Sequence, residues 1–189
     1  MGVRIGTDVS LQQLETDYDA VFIGVGAQTG RSLPIKGFTN RPETTNAIEF
    51  LRAYEIHGDA FKVRKKVIVI GDGNVAMDVA RLACRLGSEA TIISAVPREE
   101  MNCYPDEFDD AIEEGAKIEY LTGTIEVLEN EEGGRGVKWA KMVKKENGEE
   151  GWDAKIPFLR YKTTDEIVEI EADMVVASIG QVTDMKGLE

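Results

Sequence analysis

Three small residues at fixed spacing follow a short apolar run and could hold two linked phosphate groups. The sequence Gly71-Asp72-Gly73-Asn74-Val75-Ala76 has the pattern G-x-G-x-x-A. Gly71 permits a sharp exit from a strand, Gly73 lets backbone N–H groups approach phosphate oxygens, and Ala76 keeps the following helix close to the sheet. The helix start would add unpaired N–H groups and the positive end of its dipole. The pattern therefore predicts a pyrophosphate site.

The elements around this turn support that prediction. Val67 to Ile70 form a continuous apolar run, which is typical of a parallel strand covered on both faces. Apolar residues then recur at helical spacing as far as Leu86, and Gly87 ends the pattern. A second strand is predicted from Glu89 to Val96, and it completes a β-α-β unit of the usual size. This unit favours a dinucleotide site over a glycine turn with a purely structural role.

The composition restricts the class of protein. The chain has 189 residues, of which 42% are hydrophobic, and a formal net charge of −13. The acidic balance disfavours binding to nucleic acid or to anionic membrane surfaces, which select clustered Lys and Arg. No apolar run reaches the roughly 20 residues of a membrane-spanning helix, and the N-terminal segment lacks the apolar core of a secretory signal. We expect a globular, cytoplasmic protein whose partners are proteins or small molecules.

The residues that could ligate a metal or act as nucleophiles are poorly placed to do so. Cys84 and Cys103 are too few and too far apart for a zinc site, an iron–sulfur cluster or a C-x-x-C redox pair. His57 is the only histidine and lies in a polar connection. The sequence therefore predicts no metal site and no catalytic side chain. Cofactors carry the chemistry in enzymes that transfer hydride.

Shorter elements precede the glycine turn. The predicted elements are a strand from Val3 to Ile5, a helix from Leu11 to Thr16 capped by Ser10, a buried strand from Asp19 to Val25, and a helix from Asn46 to Ile56 capped by Thr45. The strand from Asp19 ends in a glycine-containing segment at Gly26 and Ala27. Its apolar content predicts burial.

The second half of the chain completes the predicted sheet. A helix opens at Pro105 and ends at Gly115, and Ala116 to Leu121 form a third strand. Alternating segments separated by glycine-rich breaks at Gly133-Gly134 and Gly148 then predict an antiparallel meander: Gly123 to Leu128, Gly136 to Lys145, and Ile167 to Glu171. A last strand covers Ala172 to Gly180. The predicted fold class is α/β, a Rossmann-like three-layer domain with a parallel sheet plus a small antiparallel β meander.

Six stretches of the sequence together carry a family resemblance. They are Tyr18 to Gln28, Ala47 to Leu51, Val69 to Arg81, Arg98 to Met101 with Pro105, Ile112 to Gly115, and Ala172 to Gln181. They resemble the pyridine-nucleotide region of the glutamate synthase small subunit and of related flavoprotein oxidoreductases with two dinucleotide sites. The resemblance covers nearly the whole chain.

The resemblance implies that an NAD(P)H domain interrupts an FAD domain. Residues 41–175, with the meander at about 122–171, would form the NAD(P)H-binding Rossmann domain, and residues 1–40 and 176–189 would be crossovers to the FAD domain. Gly26, Ala27, Gly180 and Gln181 would then lie near the cofactors. Hydride would pass from NAD(P)H to FAD and electrons onward to iron–sulfur centres or a partner subunit. We expect the chain to be part of a longer polypeptide, to lack most flavin contacts and to be inactive alone.

The choice of nucleotide depends on the end of the second strand. Where the family commonly has Tyr-Arg-Arg, this chain has Ser94, Ala95 and Val96, and Arg98 is left as a lone partner for a 2′-phosphate. A single guanidinium is a weaker clamp than two. The strand also ends without the acid that would hold the ribose hydroxyls of NAD. We expect NADH to be favoured over NADPH.

Other functions compete with the glutamate synthase type. The chain could belong to an electron-transfer subunit of another multi-component reductase, such as an aromatic acyl-CoA reductase. A non-catalytic dinucleotide-binding module is a second alternative. A self-contained NAD-dependent dehydrogenase is disfavoured, because no catalytic His, no Lys-Tyr pair and no substrate domain is visible in the sequence.

Overall fold

The computed structural model describes residues 2–39, 41–129, 135–146 and 157–188. The described helices are α1 (Leu11–Asp17), α2 (Ala47–His57), α3 (Asn74–Arg85) and α4 (Pro105–Glu113). The described strands are β1 (Thr29–Gly30), β2 (Thr44–Asn46), β3 (Lys66–Ile70), β4 (Glu89–Ile93), β5 (Lys117–Glu119), β6 (Thr122–Glu129), β7 (Arg135–Lys144), β8 (Tyr161–Ala172), β9 (Met174–Ala177) and β10 (Gln181–Val182). Short 3₁₀ helices cover Gly58–Ala60, Arg98–Glu100 and Pro157–Arg160.

A five-stranded sheet in the order β2-β9-β3-β4-β5 forms the centre of the fold, and all four of its pairings are parallel. The antiparallel meander β6-β7-β8 forms a second sheet, and β1 pairs with β10 in a third. The chain runs from β3 outward to β4 and β5, and then returns through the meander to place β9 on the other side of β3. The strand order therefore reverses between β3 and β9.

Alternate residues of the central strands face two different layers. Val67 and Val69 of β3 pack in one cluster with the buried faces of α2, α3 and α4. Ile68 and Ile70 pack on the opposite side with residues of the meander, among them Val137. Helices, parallel sheet and meander thus form three layers, as the sequence predicts. All four of these β3 residues are almost fully buried, which explains their continuous apolar run.

The helix boundaries follow local signals, with one correction. Ser10 caps α1 by accepting a hydrogen bond from the N–H of Gln13, and Pro105 occupies the first turn of α4. The cap of α2 is Asn46 rather than the predicted Thr45, since Asn46 Oδ1 accepts from the N–H of Glu49 at 3.0 Å. Asn is a stronger N-cap than Thr, so the cap moves by one residue.

Two predicted strands near the N-terminus are wrong. Residues 3–5 contain only an isolated bridge between Ile5 and Val9. Asp19 to Val25 form no strand and are exposed, with Phe22 95% exposed. A strand needs a neighbour to bond its N–H and C=O groups, and no strand among the described residues pairs with this segment.

Other strands are shorter or longer than predicted. The strand predicted to reach Val96 ends at Ile93, because the Ser94 side chain bonds the backbone of Val96 and turns the chain. The last predicted strand contributes only β9, and the third contributes only β5. In the meander, β8 is longer than predicted, whereas the predicted glycine breaks at 133–134 and 148 lie outside the described residues.

Candidate dinucleotide site

The glycine turn leaves β3 in a conformation that excludes a side chain at its first position. Gly71 has φ +128°, and a Cβ there would overlap the carbonyl oxygen of Ser178, just beyond β9. The N–H of Gly71 donates to the carbonyl of Ile93 at 3.0 Å, which fixes the turn against the end of β4. The chain can therefore pass between two neighbouring strands only with glycine at this position.

The next glycine opens onto free space. No atom lies within 4 Å of the point where a Cβ of Gly73 would stand. Gly73 is the N-cap of α3 and offers no side-chain hydrogen bond, and no hydrogen bond within the described residues satisfies the N–H groups of Asn74 and Val75. Unpaired donors at a helix start, facing open space, suit an anionic group such as a pyrophosphate. The chemistry of this turn therefore fits the predicted ligand.

A cavity of about 110 Å³ adjoins this helix start. Its lining residues come from α2, from the start of α3, and from the ends of β1 and β9 with the segment that follows: Gly30, Ala47, Ile48, Gly73, Asn74, Val75, Ala177, Ser178, Gly180 and Gln181. The cavity lies between the carboxyl ends of β3 and β9, where the strand order reverses. Such a switch point is where open α/β sheets bind ligands.

The structure brings together most, but not all, of the predicted site residues. Gly180 and Gln181 line the same cavity as Gly73, because β10 pairs with β1 and places Gln181 opposite Gly30. Gly26 and Ala27 are exposed and are not among the residues that line the cavity. They belong to the segment that forms no strand in the described part of the chain.

A hydrogen-bonded network joins the glycine turn to the end of β4. The buried Ser94 places its Oγ 3.0 Å from Asp72 Oδ2 and 2.9 Å from the carbonyl oxygen of Val96. Asn102 donates its side-chain N–H to Asp72 Oδ1 at 3.3 Å. A carboxylate therefore does stand at this strand end, although it comes from the glycine turn and not from the strand. The sequence analysis missed it, yet the parallel pairing of Ile70 with Ile93 places Asp72 close to Ser94.

Arg98 and Cys103 lie in the loop that follows. The guanidinium carbon of Arg98 is 3.7 Å from the ring centroid of Phe108, a cation–π contact. Burial raises the pKa of the Cys103 thiol, against the opposing effect of Arg98. Burial likewise raises the pKa of Cys84. Both cysteines therefore stay as thiols at neutral pH, which agrees with packing roles.

Two contacts hold this loop over the glycine turn, one from the start of α3 and one from the residue before β8. Asn74 Oδ1 accepts a hydrogen bond from the N–H of Tyr104 at 2.8 Å. Glu100 Oε2 is 2.8 Å from a terminal nitrogen of Arg160, and each of these side chains is only 18% exposed. This pair ties the loop to the meander, where burial and the adjacent Glu100 raise the pKa of Tyr161 to about 12.

An ion-pair cluster fixes α4 against α3. Arg81 is within 2.9 Å of carboxylate oxygens of Glu107, Asp110 and Glu114, and Arg85 also pairs with Glu114. Hydrogen bonds from Arg85 and Arg81 lower the pKa of Glu114, with burial opposing them. The cluster holds the helix that begins just after the loop.

Sequence comparison decides the family. The chain matches the pyridine nucleotide-disulphide oxidoreductase family over residues 3–189. The chain belongs to this family. Its members are oxidoreductases that bind NAD(P)H and FAD, so the expected class of enzyme and the expected cofactors are confirmed at the level of the family.

Individual relatives are subunits of redox enzymes. The chain is 34% identical over 186 residues to the NADPH-Fe(3+) oxidoreductase subunit beta of Geobacter sulfurreducens, covering 96% of this chain and 27% of the relative. It is 30% identical to the NADP(+)-dependent formate dehydrogenase subunit beta of Moorella thermoacetica, covering 100% of this chain and 26% of that protein. The NAD-dependent dihydropyrimidine dehydrogenase subunit PreT of Escherichia coli is 35% identical, over 61% of this chain and 27% of PreT. The chain thus spans about a quarter of the length of these relatives.

Solved structures share the fold. A thioredoxin reductase from T. acidophilum superposes with a TM-score of 0.58 at 19% identity, covering 86% of this chain and 44% of that one. The thioredoxin reductase of Lactococcus lactis gives a TM-score of 0.55 at 16% identity, covering 87% and 45%. The predicted Rossmann-like α/β class is therefore confirmed. Among the described residues, no helix has both the length and the apolar character needed to cross a bilayer.

Proposed function

We propose that this chain is the NAD(P)H-binding part of a flavin-dependent electron-transfer oxidoreductase. The observation that carries the proposal is the open helix start at Gly73, which lies at the switch point between β3 and β9. Residues 41–175 form the nucleotide domain in this proposal. Residues 1–40 and 176–189 are its crossovers to the FAD-binding remainder of a longer polypeptide.

The residues of the chain bind and orient the nucleotide in this proposal. Backbone N–H groups at the start of α3 hold the pyrophosphate, with Asn74 and Val75 supplying unpaired donors. Ser178, Gly180 and Gln181 shape the cavity beside this helix start. When bound, reduced nicotinamide supplies a hydride to FAD. No side chain of the chain needs to act as a general acid or base in this role.

The exposed segment at residues 19–25 supports the longer polypeptide. Phe22 is 95% exposed and Ile23 is 46% exposed, although the sequence has the composition of a buried strand. An apolar segment of strand character needs neighbours to cover its side chains and to bond its backbone. We propose that the FAD-binding remainder provides that neighbour, which would bring Gly26 and Ala27 to the flavin.

Partners are proposed from the named relatives. Three of them are described as subunits of redox enzymes, which supports a subunit that passes electrons onward. A cytoplasmic location is part of the proposal. The substrates in their names differ, so the glutamate synthase type is one proposed case among several. Iron–sulfur centres or a partner subunit would receive the electrons. An aromatic acyl-CoA reductase complex is the other proposed setting.

Nucleotide titration of the full polypeptide tests the proposal. We expect saturable binding of NADH or NADPH by calorimetry, followed by bleaching of the flavin absorbance in an anaerobic mixture. Absence of binding at millimolar nucleotide would refute the nucleotide site. Binding without flavin reduction would instead favour the non-catalytic dinucleotide-binding module.

A further inference from the structure

We propose that Asp72 sets the nucleotide preference and that the site selects NADH. This inference rests on the proposed function, because it concerns the ribose end of the same site. The carboxylate of Asp72 reaches the end of β4 through its contacts with Ser94 at 3.0 Å and Asn102 at 3.3 Å. The end of this second strand is where Rossmann folds hold the adenosine ribose. Asp72 thus occupies, from another element, the place of the missing strand-end acid.

The carboxylate of Asp72 makes no ion pair within the described part of the chain. Among the described residues, no Lys or Arg forms an ion pair with it, and both of its hydrogen bonds come from neutral groups. An ionised carboxylate has about four acceptor positions, so two remain for ribose hydroxyls. The same charge would repel a 2′-phosphate, which also bears negative charge. Asp72 can therefore favour one nucleotide and disfavour the other.

Arg98, the cation that could bind a 2′-phosphate, contacts an aromatic ring. Arg98 stacks its guanidinium face on Phe108, 3.7 Å from the ring centroid. The residues that would form a two-arginine clamp at the strand end are Ala95 and Val96, and Val96 is buried with Met142 and Tyr161 of the meander. At the end of β4, the carboxylate of Asp72 therefore contacts Ser94 directly, whereas Arg98 is held against Phe108.

Calorimetric dissociation constants of NADH and NADPH for the full polypeptide test this inference. We expect the unmodified protein to bind NADH at least about tenfold more tightly, and Asp72→Asn to narrow that ratio by about tenfold, the change expected for one charge-assisted contact. Asp109→Asn removes one exposed negative charge from α4 and should leave the ratio unchanged. Arg98→Met should also leave the ratio of the two dissociation constants unchanged.

The outcomes separate the two proposals. If the unmodified protein binds neither nucleotide, the proposed function fails. If it binds both but prefers NADPH, or if Asp72→Asn leaves the ratio unchanged in a protein with a native circular dichroism spectrum, only the role of Asp72 fails. A preference for NADPH that Arg98→Met abolishes would assign the discrimination to Arg98. A preference of the unmodified protein for NADPH overturns the inference even if Asp72→Asn does not fold.

Discussion

The two glycines of the turn have different neighbours, so the same substitution should have opposite consequences at each. A Cβ at Gly71 would overlap the carbonyl oxygen of Ser178 at a φ of +128°, whereas a Cβ at Gly73 would meet nothing within 4 Å. Gly71→Ala should therefore cost about 1–3 kcal/mol for the backbone conformation and about 1–3 kcal/mol for the forced shift of packed backbone. That total is a large part of an ordinary domain's stability, which is about 5–15 kcal/mol.

Gly73→Ala should spare the fold and impair binding. The new methyl group costs about 0.5–1 kcal/mol at the helix cap, since Ala is a poorer N-cap than Gly. It fills the space through which a phosphate oxygen would approach the N–H groups of Asn74 and Val75. Losing one hydrogen bond to a charged group removes about 1.5–3 kcal/mol, or about 10- to 160-fold in affinity.

Urea unfolding followed by circular dichroism, together with calorimetric nucleotide titration, measures both effects. We expect Gly71→Ala to lower the unfolding midpoint strongly and Gly73→Ala to lower it slightly. A folded Gly73→Ala protein that binds nucleotide like the unmodified chain would refute the phosphate approach. A Gly71→Ala protein as stable as the unmodified chain would refute the close packing against Ser178.

Three further predictions concern groups around the site. Glu100→Gln should lower the free energy of unfolding in urea by about 1–3 kcal/mol, because it leaves the largely buried Arg160 without its counter-charge. Adding Arg160→Met should restore part of that loss, and a double variant that is no more stable than Glu100→Gln alone would contradict the pairing. Because the pKa of Glu114 is lowered, its ion pairs with Arg81 and Arg85 stabilise the fold at neutral pH and lose this effect as pH falls below the unfolded value of 4.5. Glu114→Gln should therefore show a smaller fall in melting temperature between pH 5 and pH 3 than the unmodified protein, and an equal fall in the two proteins would count against this role of Glu114. The pKa of Tyr161 is raised from 10.0 to about 12, so the unfolded state loses the phenol proton at lower pH than the folded state does. Stability should therefore fall as pH rises through this range. Melting temperatures measured at alkaline pH should fall less in Tyr161→Phe, and an equal fall in both proteins would rule out this effect of Tyr161.

Local sequence signals predicted the elements whose packing partners are close to them in the sequence. The glycine turn, α3 and the central strands were predictable because the β-α-β unit is continuous in sequence, and its apolar residues recur with the periods of a strand and a helix. The strand predicted at residues 19–25 failed for the converse reason. Its residues have strand propensity, but propensity cannot show whether another strand lies alongside.

The network around Asp72 illustrates a second limit. Ser94 and Asp72 are 22 positions apart, and their contact depends on the exact register of β3 against β4. Sequence periodicity predicts that the two strands pair, but it leaves the register and the rotamers open. The turn of the chain at Ser94 was missed for a related reason, since a serine can either continue a strand or bond the backbone two residues on.

The position of β9 has a consequence for biosynthesis. This strand lies between β2 and β3, yet it is made after the meander, and only Asp173 separates it from β8. A ribosome-bound chain that ends before Met174 has the two flanking strands but not the one that joins them. We therefore expect β2 to dock, and the sheet to become resistant to protease, only after this late strand has left the exit tunnel.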